Sequence, residues 1–305
     1  MNTLTLVTAY FNIGRDSWSG FNRNDEKYLS FFSHWARLKN NLIIYTSPDL
    51  SEHVSAIRDA FNLKKNTTII PIEDVTKCAP LLYTQIKTAM SQKESWLFHK
   101  KLTSPESWSY HYNYITNLKP FWVYDATQRG LTSDMVAWID FGYDHGGAEF
   151  PHSEDFDFLW EYPFEPLIHI FLSQKLDNKP IFKIIQDMDT YIRGGITVAP
   201  APLWELIWKE TQYAIQVLSE CGLSDDDQTL MLMIYRRYPN LFKPHMTTYW
   251  GEALHAYGGN KLHLSLSKSK NHNFSKKIKR YMNLKKEEWD IFRRHGKEIE
   301  EKYFK

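Results

Sequence analysis

Leu4-Thr5-Leu6-Val7-Thr8-Ala9-Tyr10 is a short β-rich run that starts almost at the first residue and breaks at Asn12-Ile13-Gly14. Behind it, residues 25–38 carry Tyr28, Leu29, Phe32, Trp35 and Ala36 at helical spacing. Leu42-Ile43-Ile44-Tyr45 is a second buried strand, ended by Ser47-Pro48, and Ser51 stands as the cap of a helix through Ala60. Thr67-Thr68-Ile69-Ile70-Pro71-Ile72 is a third strand. Strand, helix, strand, helix, strand is the order that builds a parallel sheet with right-handed crossovers.

Working outward, residues 120–129 read as a helix and Met135-Val136-Ala137-Trp138-Ile139 as a strand that ends on Asp140. Residues 181–185 and Gly195-Ile196-Thr197-Val198 read as two more strands, residues 203–218 as a helix, and Asp225 as the start of another. Residues 146–166 match no regular element, and residues 285–302 look helical. The whole is an α/β chain with a mostly parallel, Rossmann-like sheet flanked by helices and a basic helical C-terminal tail. Open sheets of this kind take ligands at the carboxyl ends of their strands. The search for chemistry therefore narrows to residues 8–15, residues 140–147 and the Gly194-Gly195 turn.

Composition sets the outer bounds. The chain has 305 residues, 43% of them apolar and 24% charged, which suits a globular fold with a sizeable core. Cys78 and Cys221 are too few for a disulfide scaffold. No stretch of some eighteen apolar residues is present and the first residues lack a secretory pattern, so a cytoplasmic location is expected. Of the 37 basic and 36 acidic residues, 14 and 6 fall in 261–305, a balance of +8 that leaves −7 on the first 260. An acidic body thus carries a basic tail. Residues 1–260 are expected to be the ligand-binding domain and 261–305 an extension, whose Lys276–Met282 cluster suits an anionic membrane surface. The acidic body argues against nucleic acid as a partner.

Trp138-Ile139-Asp140-Phe141-Gly142-Tyr143-Asp144-His145 delivers a carboxylate to the end of a buried strand beside a turn, an arrangement that holds Mn²⁺ or Mg²⁺ against phosphate oxygens and equally one that merely caps a turn. Asp225-Asp226-Asp227-Gln228-Thr229 combines helix capping with a carboxylate and an amide able to orient a hydroxyl or act as general base. His255-Ala256-Tyr257-Gly258-Gly259-Asn260-Lys261 offers a metal-ligating imidazole, backbone N–H groups and a cation, or an ordinary surface turn. Tyr10, Phe11 and Arg15 supply rings and a cation beside the first strand. The first strand is followed by neither a Walker loop nor Gly-x-Gly-x-x-Gly, and the chain has no Gly-x-Ser-x-Gly elbow and no His-Glu-x-x-His.

Taken in order, these pieces resemble a nucleotide-sugar glycosyltransferase of the GT-A type. The whole chain more closely resembles the HtrL/YibB family of bacterial proteins, through Leu6–Arg15, Trp138–Tyr143 and Asp225–Thr229. The GT-A resemblance implies transfer of a sugar from a nucleotide-sugar donor of the UDP type to a glycan, and the family's association with lipopolysaccharide core genes implies a lipopolysaccharide-type or lipid-linked acceptor at the inner membrane. The non-catalytic alternative is a carbohydrate- or protein-binding module built on the same fold. Under the transferase reading, Thr8, Ala9, Tyr10, Arg15, Lys119, Gly194, Gly195, Gly258 and Lys261 meet the nucleotide-sugar, and Asp227 and Gln228 are the catalytic candidates. Asp140 and His255 would hold the metal. Gly142 stands where an Asp-x-Asp motif has its second carboxylate, and Asp144 is the expected substitute. Inversion and retention of configuration both remain open at this point.

Overall fold

The structure is a computed structural model that describes residues 4–18, 22–265 and 296–304. Seven strands form one sheet: β1 (Leu4–Tyr10), β2 (Leu42–Thr46), β3 (Thr67–Pro71), β4 (Met135–Ile139), β5 (Ile168–Leu172), β6 (Ile196–Pro200) and β7 (Phe242–Met246). Their order is β3-β2-β1-β4-β6-β5-β7, and only β6 runs against its neighbours. From β1 the chain winds outward through β2 to β3, then returns to lay β4 on the other side of β1, Val7 facing Trp138 in register. That reversal opens a crevice at the carboxyl ends of β1 and β4.

Alternation along the strands splits the core between the two faces. Val7, Ile43, Tyr45, Val136 and Trp138 point to one side, where they meet α3 (Pro80–Met90), α6 (Tyr110–Asn117), α7 (Lys119–Gln128), α9 (Leu203–Glu220) and α10 (Asp227–Arg237). Leu6, Leu42, Ile44, Ala137 and Ile139 point to the other, against α1 (Asp25–Trp35), α2 (Pro48–Asp59), the irregular segment around Phe150 to Trp160, and α11 (Glu252–His255). Cys78 and Cys221 are free. No helix among the described residues is long and apolar enough to cross a membrane.

Several expectations need correction. Residues 181–185 form no strand; they lie in α8 (Ile181–Asp187), where Ile184 and Ile185 are buried and Phe182 is 58% exposed. Ile181, Ile184 and Ile185 recur at helical spacing, and Pro180 supplies the carbonyl that accepts from Ile184 N–H. The helix capped in expectation by Ser51 starts earlier, with Ser47 as cap and Pro48 in the first turn. Residues 225–226 precede α10, whose cap is Asp226, accepting from Gln228 N–H at 3.0 Å. Short helices α4 (Lys93–Leu97) and α5 (Pro105–Trp108) precede α6. At the chain's end, α12 (Lys297–Tyr303) lies on a cluster of Trp18, Trp96 and Trp108 through Ile299, with Phe304 stacked on Trp96. The Lys276–Met282 cluster and the remainder of the expected 285–302 helix lie outside the described residues.

Candidate active site

The crevice between β1 and β4 holds a cavity of about 320 Å³. Ala9 and Tyr10 of β1 and the Phe11–Ile13 segment form one wall, and Asp140, Phe141 and Gly142 form the next. Tyr10 is fixed there: its hydroxyl donates to Asp25 Oδ1 (2.7 Å) and its ring stacks on Phe141 with centroids 5.0 Å apart. Asn12 Nδ2 donates to Asp25 Oδ2 (2.9 Å), so the first carboxylate of α1 holds both Tyr10 and Asn12. Thr8 is fully buried beneath this wall and does not line the cavity.

Lys119, the first residue of α7, organises the floor. Its Nζ lies 2.9 Å from Asp140 Oδ1, 3.0 Å from Asp227 Oδ2 and 3.0 Å from the Gly194 carbonyl oxygen. Asp140 Oδ1 also accepts from Trp138 Nε1 (2.7 Å). Burial works against the Lys119 charge, but Asp140 and Asp227 outweigh it and hold the ammonium above its ordinary value. Burial pushes Asp227 up to about 6 against the pull of Lys119, and Asp225 up to about 7. Asp226 is also raised, by burial and by Asp225 and Asp227 on either side. Gly194 has a packing reason: a Cβ there would overlap Asp227 Oδ2. Gly195 lies against the Trp250 ring, which closes that side of the cavity.

Arg15 and Arg23 also line the cavity. Arg15 Nη1 donates to the Tyr28 hydroxyl, and its guanidinium lies 5.1 Å from the Trp18 ring centre and 5.7 Å from that of Tyr112. A guanidinium held between rings keeps its charge and its fork geometry for an anion. The lysine offers less. An ammonium has three hydrogens, and Lys119 directs them at three protein oxygens, so it positions the two carboxylates rather than meeting an incoming phosphate.

The side chains expected to hold a divalent cation do not fit that role together. Asp144 is 2% exposed and turned into its own loop, accepting from the N–H groups of Gly147 (3.1 Å), Glu149 (2.7 Å) and Phe150 (3.2 Å), with His34 Nε2 at 3.3 Å. A side chain at Gly142 would press on the Tyr28 ring, its Cβ 3.2 Å from Tyr28 Cε1, so a second carboxylate there would require that ring to shift. His255 pairs through Nδ1 with the Tyr249 hydroxyl and lies beside Phe150; it does not line the cavity. Nor do Gly258 and Lys261. Gly258 has a positive φ and packs so tightly that a Cβ would overlap the Glu161 carbonyl, and Lys261 is exposed. Among the described residues, no group of three or more His, Cys, Asp and Glu side chains is spaced to hold a metal ion.

Of the residues singled out from sequence, the fold thus gathers Ala9, Tyr10, Arg15, Lys119, Asp140, Gly194, Asp227 and Gln228 around one cavity, with Gly195 just behind it. It also adds Arg23, Tyr28, Glu106, Tyr112 and Trp250, which the sequence does not distinguish from ordinary loop and helix residues. Glu106 follows Pro105 in the first turn of α5, where an acid reads as complementing the helix dipole.

The family described as "Bacterial protein of unknown function (HtrL_YibB)" matches residues 2–257. "Protein HtrL" of Escherichia coli (strain K12) is 34% identical over 257 residues, covering 79% of this chain and 87% of that protein. Among solved structures, mouse xyloside xylosyltransferase 1 in its apo form is similar at 15% identity and a TM-score of 0.44, over 83% of this chain and 91% of that one. The PaToxG glycosyltransferase is similar at 12% identity and a TM-score of 0.34, over 78% and 71% of the respective chains.

Proposed function

The chain belongs to the HtrL_YibB family of bacterial proteins, and from that premise we propose that it is a glycosyltransferase that moves a sugar from a nucleotide-sugar donor, of the UDP-sugar type, to a glycan or lipopolysaccharide-type acceptor. One observation carries the reading: at the β1–β4 switch point, a largely buried carboxylate of raised pKa faces a cavity lined also by two arginines among aromatic rings. Aromatic faces suit a base, guanidinium groups a diphosphate, and the carboxylate an acceptor hydroxyl.

In the reaction, the acceptor oxygen attacks the anomeric carbon, and the bond from that carbon to the diphosphate breaks with its electron pair on the leaving group. Arg15 and Arg23 meet the charge that grows there. Asp227, ionised at neutral pH, takes the acceptor proton; this is the inverting form of the mechanism. Lys119 acts one step back, holding Asp227 and Asp140 at fixed separation. A membrane-surface partner for the basic tail belongs to the same proposal, as the route to a lipid-linked acceptor.

The test is release of UDP from a panel of UDP-sugars, with Asp227→Asn beside the wild type. Loss of a general base should lower turnover by about 10²–10⁴-fold. An Asn variant as active as the wild type would remove Asp227 from the mechanism. Calorimetric binding of UDP with neither hydrolysis nor transfer would favour a non-catalytic sugar-binding module instead.

A further inference from the structure

Three residues lining the cavity carry a buried polar atom with no hydrogen-bond partner among the described residues: Arg15 Nε, Glu106 Oε2 and Gln228 Oε1. Folded proteins rarely leave such atoms unmatched, because each has given up water for nothing. The arginine is a donor and suits the diphosphate. The other two are acceptors, and they call for a ligand that donates. An apolar group would leave both oxygens unmatched, and an anion would meet Glu106 alongside the neighbouring Asp225 and Asp226 carboxyls.

We propose that Glu106 and Gln228 form a saccharide subsite, in which Glu106 Oε2 and Gln228 Oε1 each accept a hydrogen bond from a ring hydroxyl. The proposal deepens the transferase reading and rests on it for the nucleotide half of the ligand. Its support is the way the fold fixes Gln228 Oε1 and the backbone that carries Glu106. Gln228 donates through Nε2 to Asp226 Oδ2 (2.9 Å), which leaves Oε1 as the free atom. Asn113 of α6 donates through Nδ2 to the Glu106 carbonyl (3.0 Å) and to Ser224 Oγ (3.2 Å). One turn further on, Asn117 Nδ2 donates to the Asp225 carbonyl (3.0 Å). Asn113 and Asn117 are 0% and 2% exposed. A single buried face of α6 therefore sets the segment bearing Glu106 against the segment leading into Gln228. Such rigidity is what hydroxyl discrimination needs, since a site built to bind a hydroxyl penalises a ligand without one.

The experiment compares wild type with Glu106→Leu, Gln228→Leu and Glu106→Gln, each checked by thermal unfolding. One readout is calorimetric affinity for UDP, UDP-glucose, UDP-galactose and UDP-xylose. The other, which needs no nucleotide, is saturation-transfer NMR with free glucose, galactose and xylose. Each leucine variant is expected to lose about ten- to a hundredfold in affinity for a UDP-sugar while binding UDP within about twofold of wild type. Glu106→Gln keeps a carbonyl acceptor and should stay within about fivefold; a loss as deep as that of leucine would overturn the acceptor role. If UDP fails to bind but the free-sugar signal falls in both leucine variants, the nucleotide reading falls and the subsite stands. If leucine at 106 and at 228 changes neither readout, the subsite is overturned, whatever UDP does.

Discussion

Asp225 is 8% exposed, and one of its oxygens accepts from the Asp226 N–H at 3.0 Å. Burial comes first among the forces on it and drives its carboxyl up to about 7, as it drives Asp227 up to about 6 and raises Asp226 and Glu106. The unfolded chain would titrate these groups near 4. Between those limits the folded state holds protons that the unfolded chain has released, so stability is greatest in the acid part of the window and declines as pH rises through about 6 to 7. Each group so displaced steepens the decline by up to roughly 1.4 kcal/mol per pH unit. Asp225→Asn removes one titrating member and keeps an acceptor oxygen. Urea unfolding between pH 4.5 and 7 should show a visibly shallower slope in the variant; parallel slopes would mean that Asp225 does not take up a proton on folding. The proposed transfer reaction has the opposite sign, because a base must be ionised, and should rise across the same range.

At the level of elements, β1 to β4 were legible because each is an apolar run bounded by turn residues, and their order alone located the switch point. β5 and β7 were not. β7 is an edge strand reading Phe-Lys-Pro-His-Met, and Pro244 together with its polar neighbours hides the pattern. α6, read as Tyr-His-Tyr-Asn-Tyr-Ile-Thr-Asn, is poor in strong helix formers, and tertiary packing overrides the propensity. That is also why Glu106 escaped notice, since its partner helix was invisible. The His255–Lys261 segment failed in the other direction: a spacing suited to ligation is taken up by packing against Phe150, Trp160 and Glu161. Arg58 was equally silent. It is fully buried in α2, where Nη1 donates to the carbonyls of Ala36 (2.7 Å) and Leu38 (2.6 Å), Nη2 to Asn40 O (3.1 Å), and Nε to Thr67 Oγ1 (2.8 Å). It thus ties α2 to the α1–β2 connection and to β3. Burial lowers its pKa to about 10, and it remains charged at neutral pH. Arg58→Met should cost about 3–5 kcal/mol in chemical denaturation by stranding those carbonyls, and a cost below about 1 kcal/mol would mean that water or backbone shifts satisfy them.

Across the whole molecule, the last described helix bears on the site at one remove. Ile299 sits among Trp18, Trp96 and Trp108, Tyr303 lies 5.1 Å from Trp108 between ring centres, and Lys93 pairs with Glu300. Trp108 meets Trp18 edge-on at 4.8 Å, and Trp18 in turn lies under the Arg15 guanidinium. Glu106, in the same short helix as Trp108, lines the cavity. This last described helix therefore buttresses the wall that carries both the arginine proposed to meet the diphosphate and the proposed hydroxyl acceptor. Ile299→Asp buries a charge in an apolar cluster and should release α12 while leaving both core faces of the sheet intact. Tryptophan emission should then move to the red, and UDP affinity should fall about three- to tenfold as the ring beneath Arg15 loosens. A red shift with unchanged UDP affinity would separate the two, leaving α12 as a cover for tryptophans that hold the wall by themselves.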